Sequence, residues 1–71
     1  MAITPAEIDN LFTYHAPKGD QPARYVAIRE SAKALALVIV QNTPSSADQT
    51  AAIRKLREAV MTANASIALE A

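Results

Sequence analysis

The sequence predicts an all-α fold in which a short N-terminal helix precedes an antiparallel helical hairpin. Two long stretches repeat apolar residues at spacings of three and four, which is the period of a helix face. The short interruption Thr43-Pro44-Ser45 separates them, and helices of about 30 Å joined by so short a loop must lie antiparallel. With 71 residues, the chain is predicted to form a single domain over residues 1–71.

The first helix is predicted at about residues 5–12. It opens with Thr4-Pro5-Ala6-Glu7, in which Thr can cap the helix, Pro suits the first helical position and Glu can complete a capping box. Pro17 and Gly19 interrupt helical geometry, so a turn is expected over residues 14–19.

The two long helices are predicted at about residues 21–42 and 46–69. Asp20 is a favourable N-cap for the first, and Ser46 followed by Gln49 resembles a capping box for the second. In each helix one row of residues, here called the seam, should face the other helix. The predicted seams are Tyr25, Ile28, Ala32, Leu35, Ile39 and Asn42 in the first long helix, and Ile53, Leu56, Val60, Ala63 and Ile67 in the second.

The predicted hairpin carries more apolar surface than its two helices can bury against each other. Residues 35–40 are apolar all round the helix, whereas one partner helix covers a single stripe. The N-terminal helix is too short to cover the remainder completely. Another copy of the chain is the simplest cover, so the sequence predicts a homo-oligomer without fixing its stoichiometry.

Composition argues against several classes of function. Seven basic residues balance seven acidic ones, which disfavours binding to duplex nucleic acid. The longest apolar run, residues 34–40, is far shorter than the roughly 20 residues of a membrane span, and no export signal is apparent. With no Cys, one His and one Gly, we expect no metal cluster, no phosphate loop, no cofactor and no enzyme activity.

Candidate binding residues lie near the turn and along the first long helix. Tyr14 could stack on a planar base, with His15 beside it and cationic groups nearby for phosphate. An alternative needs no ligand: Tyr14 packs on the hairpin and His15 satisfies a backbone carbonyl. In that interpretation Arg29 and Lys33, which share a helix face, are simply solvated.

The strength of such contacts favours a site between two copies. A stacked base is worth about 1–3 kcal/mol and a charged hydrogen bond about 1.5–3 kcal/mol, too little after association costs. Two symmetry-related sets would give roughly 5–12 kcal/mol gross, so an interface pocket is the arrangement that could bind a small nucleotide. Arg54 with Glu58 is predicted to be an ordinary stabilising ion pair.

Two parts of the sequence carry a family resemblance. They are Phe12-Thr13-Tyr14-His15-x-Pro17, followed by Gln21, Arg24-Tyr25 and Ile28-Arg29, and the later Glu58-Ala59-Val60-Met61-x-Ala63-Asn64-Ala65-x-Ile67-Ala68. Together they resemble the phage anti-CBASS cyclic-nucleotide sponges, small helical-hairpin proteins of tailed phages. The resemblance covers residues 11–68.

The resemblance implies a homohexamer that acts in the cytoplasm of the infected bacterial host. It implies that the protein sequesters cyclic di- and trinucleotides such as cGAMP without cleaving them, so that the CBASS effector stays silent. Carried over by motif, Tyr14 stacks on the bases and Arg29 meets the phosphates. His15, Lys18 and Lys33 are further candidates at that site.

A second, trinucleotide site is also implied by the resemblance. Relatives often carry Arg where this chain has Leu69-Glu70. This departure weakens the case for that site, for which Ser31 is the candidate residue.

The residues alone leave another interpretation open, a hairpin interaction module that docks on a partner protein around Leu37 and Val40. A sponge is expected to melt at a higher temperature with a cyclic dinucleotide, because a ligand that binds only the native state stabilises it. The interaction module is not expected to melt at a higher temperature with a cyclic dinucleotide.

Overall fold

The computed structural model describes residues 2–70 of the chain. Three helices form its regular structure: α1 Pro5–Leu11, α2 Gln21–Asn42 and α3 Ala47–Ala68. The all-α prediction is confirmed, since residues 2–70 contain no strand. Helix α1 ends one residue earlier than predicted, and α3 is one residue shorter at each end.

Side-chain caps mark the starts of α1 and α3, as predicted. Thr4 Oγ1 accepts a hydrogen bond from the Glu7 N–H (3.2 Å), and Ser46 Oγ accepts one from the Gln49 N–H (3.1 Å). Neither capping box closes, however. The Gln49 side chain reaches across the loop instead, donating from Nε2 to Thr43 O (3.2 Å) and Thr43 Oγ1 (3.0 Å).

The start of α2 differs from the prediction. Asp20 occupies the N-cap position, but its side chain makes no capping hydrogen bond. Its carboxylate Oδ1 lies 3.3 Å from Arg24 Nε instead. The chain enters the helix through a turn at Gly19, whose φ of +57° favours glycine, and the Gln21 N–H closes this turn onto Lys18 O (3.0 Å).

Helices α2 and α3 pack against each other, and all five predicted seam residues of α3 are buried or half-buried. On α2 the prediction was wrong at Leu35, which is 49% exposed, while Ala36 is half-buried in its place. Leu35 and Ala36 are neighbouring apolar residues, so the pattern alone does not say which of them faces α3. Asn42 also lies outside the seam: it is exposed, and its Nδ2 donates to Val38 O (2.8 Å).

The single chain has a very small core. Among residues 2–70, Ile67 is the buried apolar residue and Gln21 the buried polar one. The chain exposes 5705 Å², roughly 1,400 Å² more than the about 4,300 Å² expected of a folded monomer of this mass. Its radius of gyration is 15.6 Å, against about 11 Å for a compact domain of this length.

Helix α1 stands apart from the hairpin. Within residues 2–70 it makes no contact with α2 or α3, so it covers none of the surplus apolar surface. Its own apolar side chains Ile8 and Leu11 are exposed, as is Phe12 at its C-cap. On α2, Leu35, Leu37, Val38 and Val40 are each about half exposed. No helix in the described part of the chain is long and apolar enough to span a membrane.

Candidate functional site

Residues 12–20 link α1 to α2 and carry three of the predicted binding residues, Tyr14, His15 and Lys18. His15 Nε2 lies 2.8 Å from Asn10 O. Because a carbonyl oxygen only accepts, Nε2 carries the proton and donates it, which leaves Nδ1 of a neutral ring as an acceptor. His15 therefore ties the linker back to α1, as the alternative without a ligand predicted.

Tyr14 does not pack on the hairpin, so that part of the alternative interpretation was wrong. Its side chain is 84% exposed. An exposed aromatic ring has a free face on which a base can stack. Its apolar surface stays in contact with water, at a cost in free energy, as long as nothing covers it.

Gln21 anchors the other end of the linker, and sequence reasoning gave it no role beyond the motif. It is 2% exposed, and its Oε1 accepts from the Lys18 N–H (3.0 Å). Its Nε2 donates to Ile67 O (3.0 Å) and to Glu70 Oε1 (3.1 Å). The sequence did hold one signal of this buried role: Gln21 is a polar residue four positions before Tyr25 and so continues the seam.

Glu70 also accepts a hydrogen bond from Arg24 Nη2. The bond from Gln21, followed by the one from Arg24, lowers the pKa of Glu70 below its ordinary value. The hydrogen bond between Arg24 and Glu70 also raises the pKa of Arg24. Since Arg24 also lies against Asp20, its guanidinium is occupied by two carboxylates and is a poor candidate for binding phosphate.

Four cationic residues lie on one face of the hairpin. In two antiparallel helices, residues one position after the seam fall on the same face of the pair. Arg29 and Lys33 follow seam residues of α2 in this way, and Arg54 and Arg57 follow seam residues of α3. We call Arg29, Lys33, Arg54 and Arg57 the basic face.

No carboxylate forms an ion pair with the basic face within residues 2–70. The ion pairs there all belong to Arg24, so the predicted pair between Arg54 and Glu58 does not form. An exposed pair gains little over solvation because it must order two long side chains. Arg54 and Arg57 instead line a shallow groove of about 360 Å³ on α3 together with Gln49, Thr50 and Ile53.

A single chain does not assemble the predicted binding residues into one pocket. Arg29 lies eight residues beyond Gln21, about 12 Å further along the helix, whereas Lys18 remains at the hairpin end. Ser31 precedes a seam residue and so lies on the opposite face. Among the described residues, no hydrogen bond or ion pair joins Tyr14 to the basic face. Residues 2–70 also hold no His or carboxylate cluster suited to a metal ion.

A family model described as the Acb2/Tad1 hairpin domain matches residues 4–68. The match begins at the α1 cap and ends at the last residue of α3, so it includes α1, the linker and the hairpin. No curated protein and no solved structure matches the chain.

Proposed function

The chain belongs to the Acb2/Tad1 hairpin-domain family, the anti-CBASS cyclic-nucleotide sponges, and on that premise we propose that it binds and sequesters cyclic dinucleotides without cleaving them. In this role it removes the second messenger of bacterial CBASS immunity from the cytoplasm of the infected host. The observation that carries the proposal is the family match over nearly the whole chain.

The binding unit we propose is a homo-oligomer, with a hexamer as the expected form. The support is the surplus surface: roughly 1,400 Å² per chain is enough for about two interfaces of the standard size, near 800 Å² per partner. Cover by a second copy also removes the exposed apolar side chains of α1 and α2 from water.

Within this oligomer, the proposed site brings the linker of one chain to the basic face of another. Tyr14 stacks on a base, since its ring is exposed and free. Arg29 binds a phosphate, with Lys33 one turn away on the same face. His15 offers its Nδ1 as an acceptor, and Lys18 adds positive charge at the hairpin end.

A trinucleotide site is a separate proposal. Ser31 lies on the face opposite Arg29, where a second ligand would not compete with the first. Glu70 is bonded to Gln21 and Arg24 and places a negative charge at the end of the hairpin where α2 begins and α3 ends.

Calorimetric titration of cyclic dinucleotides into single variants tests the assignment. Tyr14→Ala should weaken binding about 5- to 150-fold, because base stacking is worth about 1–3 kcal/mol. Tyr14→Phe should bind nearly as tightly as the parent chain, since it keeps the ring. Arg29→Ala should weaken binding about 10- to 100-fold through the loss of a charged hydrogen bond.

Lys55→Ala is the matched control, because Lys55 is exposed on α3 and precedes a seam residue, which places it opposite the basic face. It should bind like the parent chain. If Tyr14→Ala and Arg29→Ala also bound like the parent, the site assignment would be wrong even with sponge activity intact.

A further inference from the structure

Helix α1 and the C-cap residue Phe12 form an arm that has no partner within its own chain. The arm makes no contact with α2 or α3, and its side chains Ile8, Leu11 and Phe12 are exposed. Its linker is held at both ends, by His15 on Asn10 O and by Gln21 on the Lys18 N–H. One anchor holds the linker to the arm and the other holds it to the hairpin, and the arm leaves its own hairpin uncovered.

The arm has a distinctive pattern of apolar and acidic residues. At about 100° per residue, Ile8, Leu11 and Phe12 share one stripe of the helix. Glu7 and Asp9 flank that stripe on its two sides, and the arm has no basic residue. It is therefore an apolar ridge between two carboxylates.

The groove on α3 has the complementary pattern. Ile53 lines it, and Arg54 and Arg57 stand along it without any carboxylate partner among residues 2–70. The same two arginines line a second shallow depression together with Met61, which is 59% exposed, and Glu58, which forms no ion pair with either arginine among residues 2–70. The groove thus offers apolar side chains beside two arginines and one carboxylate, which leaves it with a net positive charge.

We propose that the groove on α3 receives the arm of a second copy of the chain, with the arm's carboxylates against Arg54 and Arg57. This inference rests on the oligomer of the proposed function and names the surfaces that form it. The apolar stripe supplies burial, and the charges set the register and exclude the wrong orientation.

The docked arm would also complete the nucleotide site. Tyr14 follows the arm by two residues, and Arg57 lies on the same hairpin face as Arg29 and Lys33. An arm seated at Arg57 therefore delivers its Tyr14 to the basic face of the neighbouring chain. The arginines of the groove hold the arm, while Arg29 and Lys33 remain free for phosphate.

Charge reversal on either side of the contact tests the proposal by sedimentation. The arm variant E7K/D9K and the groove variant R54E/R57E should each sediment as smaller species than the parent chain. An equal mixture of the two should regain the parent mass with both chains present, because each arm then meets a groove of opposite charge. The quadruple variant, which reverses both sides in one chain, should also assemble.

Recovery in the mixture shows that neither variant had simply failed to fold. Lys55→Glu, on the opposite face of α3, should assemble like the parent. The proposal is overturned if R54E/R57E keeps the parent mass. If this full-size R54E/R57E assembly also loses cyclic dinucleotide binding, the groove is a phosphate site instead. It is also overturned if the mixture stays small. Assembly that follows the charges without any nucleotide binding would leave docking intact and remove the proposed function.

Discussion

At the scale of single residues, one buried side chain holds the hairpin ends and the linker together. Gln21 bonds to the Lys18 N–H, to Ile67 O and to Glu70, so it connects the linker, α2 and the end of α3. A buried amide with all these partners is stabilising, while an unsatisfied one would cost about 1–3 kcal/mol. Gln21 therefore sets where the linker joins the hairpin.

Glu70 gives this network a pH dependence. Its pKa lies below the ordinary 4.5 because Gln21 and Arg24 hydrogen-bond to the carboxylate. A depressed pKa means that the charged form stabilises the fold above pH 4.5 and that this contribution disappears as the pH falls through the folded-state pKa. Glu70→Gln should therefore lower the Tm at pH 7, and the difference from the parent chain should shrink steadily below pH 4.5.

Thermal unfolding at matched protein concentration, at pH 7 and at pH 3, measures that difference. Glu30→Gln is the control, since Glu30 is exposed on α2 and takes part in no ion pair within the described residues. A Glu70→Gln effect that is equal at both pH values would mean that the carboxylate charge contributes nothing.

Long-range contacts such as these could not be predicted from the sequence. Gln21 and Glu70 are 49 positions apart, and only the register of two packed helices brings them together. The exposure of Tyr14 could not be predicted either, because a tyrosine ring suits both packing on the hairpin and stacking on a base. The missing Arg54–Glu58 pair shows the same limit, since spacing permits an exposed pair but does not make it favourable.

At the scale of elements, local signals predicted the helices well. Thr4 and Ser46 cap α1 and α3 because a side-chain oxygen satisfies a backbone N–H within the same turn. The seam of α3 was predictable because polar residues flank it. The seam of α2 was not, since Leu35 and Ala36 are both apolar and the pattern alone does not say which one faces α3.

The cap at Ser46 gives a test of this account. Ser46→Ala should cost about 1 kcal/mol, and a domain of this size should then melt about 4–8 °C lower. Ser45→Ala is the neighbouring control, because Ser45 is exposed and forms no hydrogen bond that its loss would break. Calorimetric melting curves at one protein concentration would show the difference, and equal shifts for the two variants would refute the capping role.

At the scale of the whole molecule, the fold was predictable but the complete site was not. Helix periodicity and family membership both predict the hairpin, while the predicted binding residues lie in two places, on the linker and on the basic face. The surplus of exposed surface and the unpartnered arm both support our proposal that the working unit contains more than one chain. The site that we propose is therefore divided between copies.

Native mass spectrometry of the purified protein with a panel of cyclic di- and trinucleotides tests the central proposal most directly, because it reports assembly mass and bound ligand together. We predict a closed oligomer, a hexamer, that carries cyclic dinucleotides of unchanged mass. An assembly that binds none of the cyclic nucleotides, or one that releases cleaved products, would contradict sequestration.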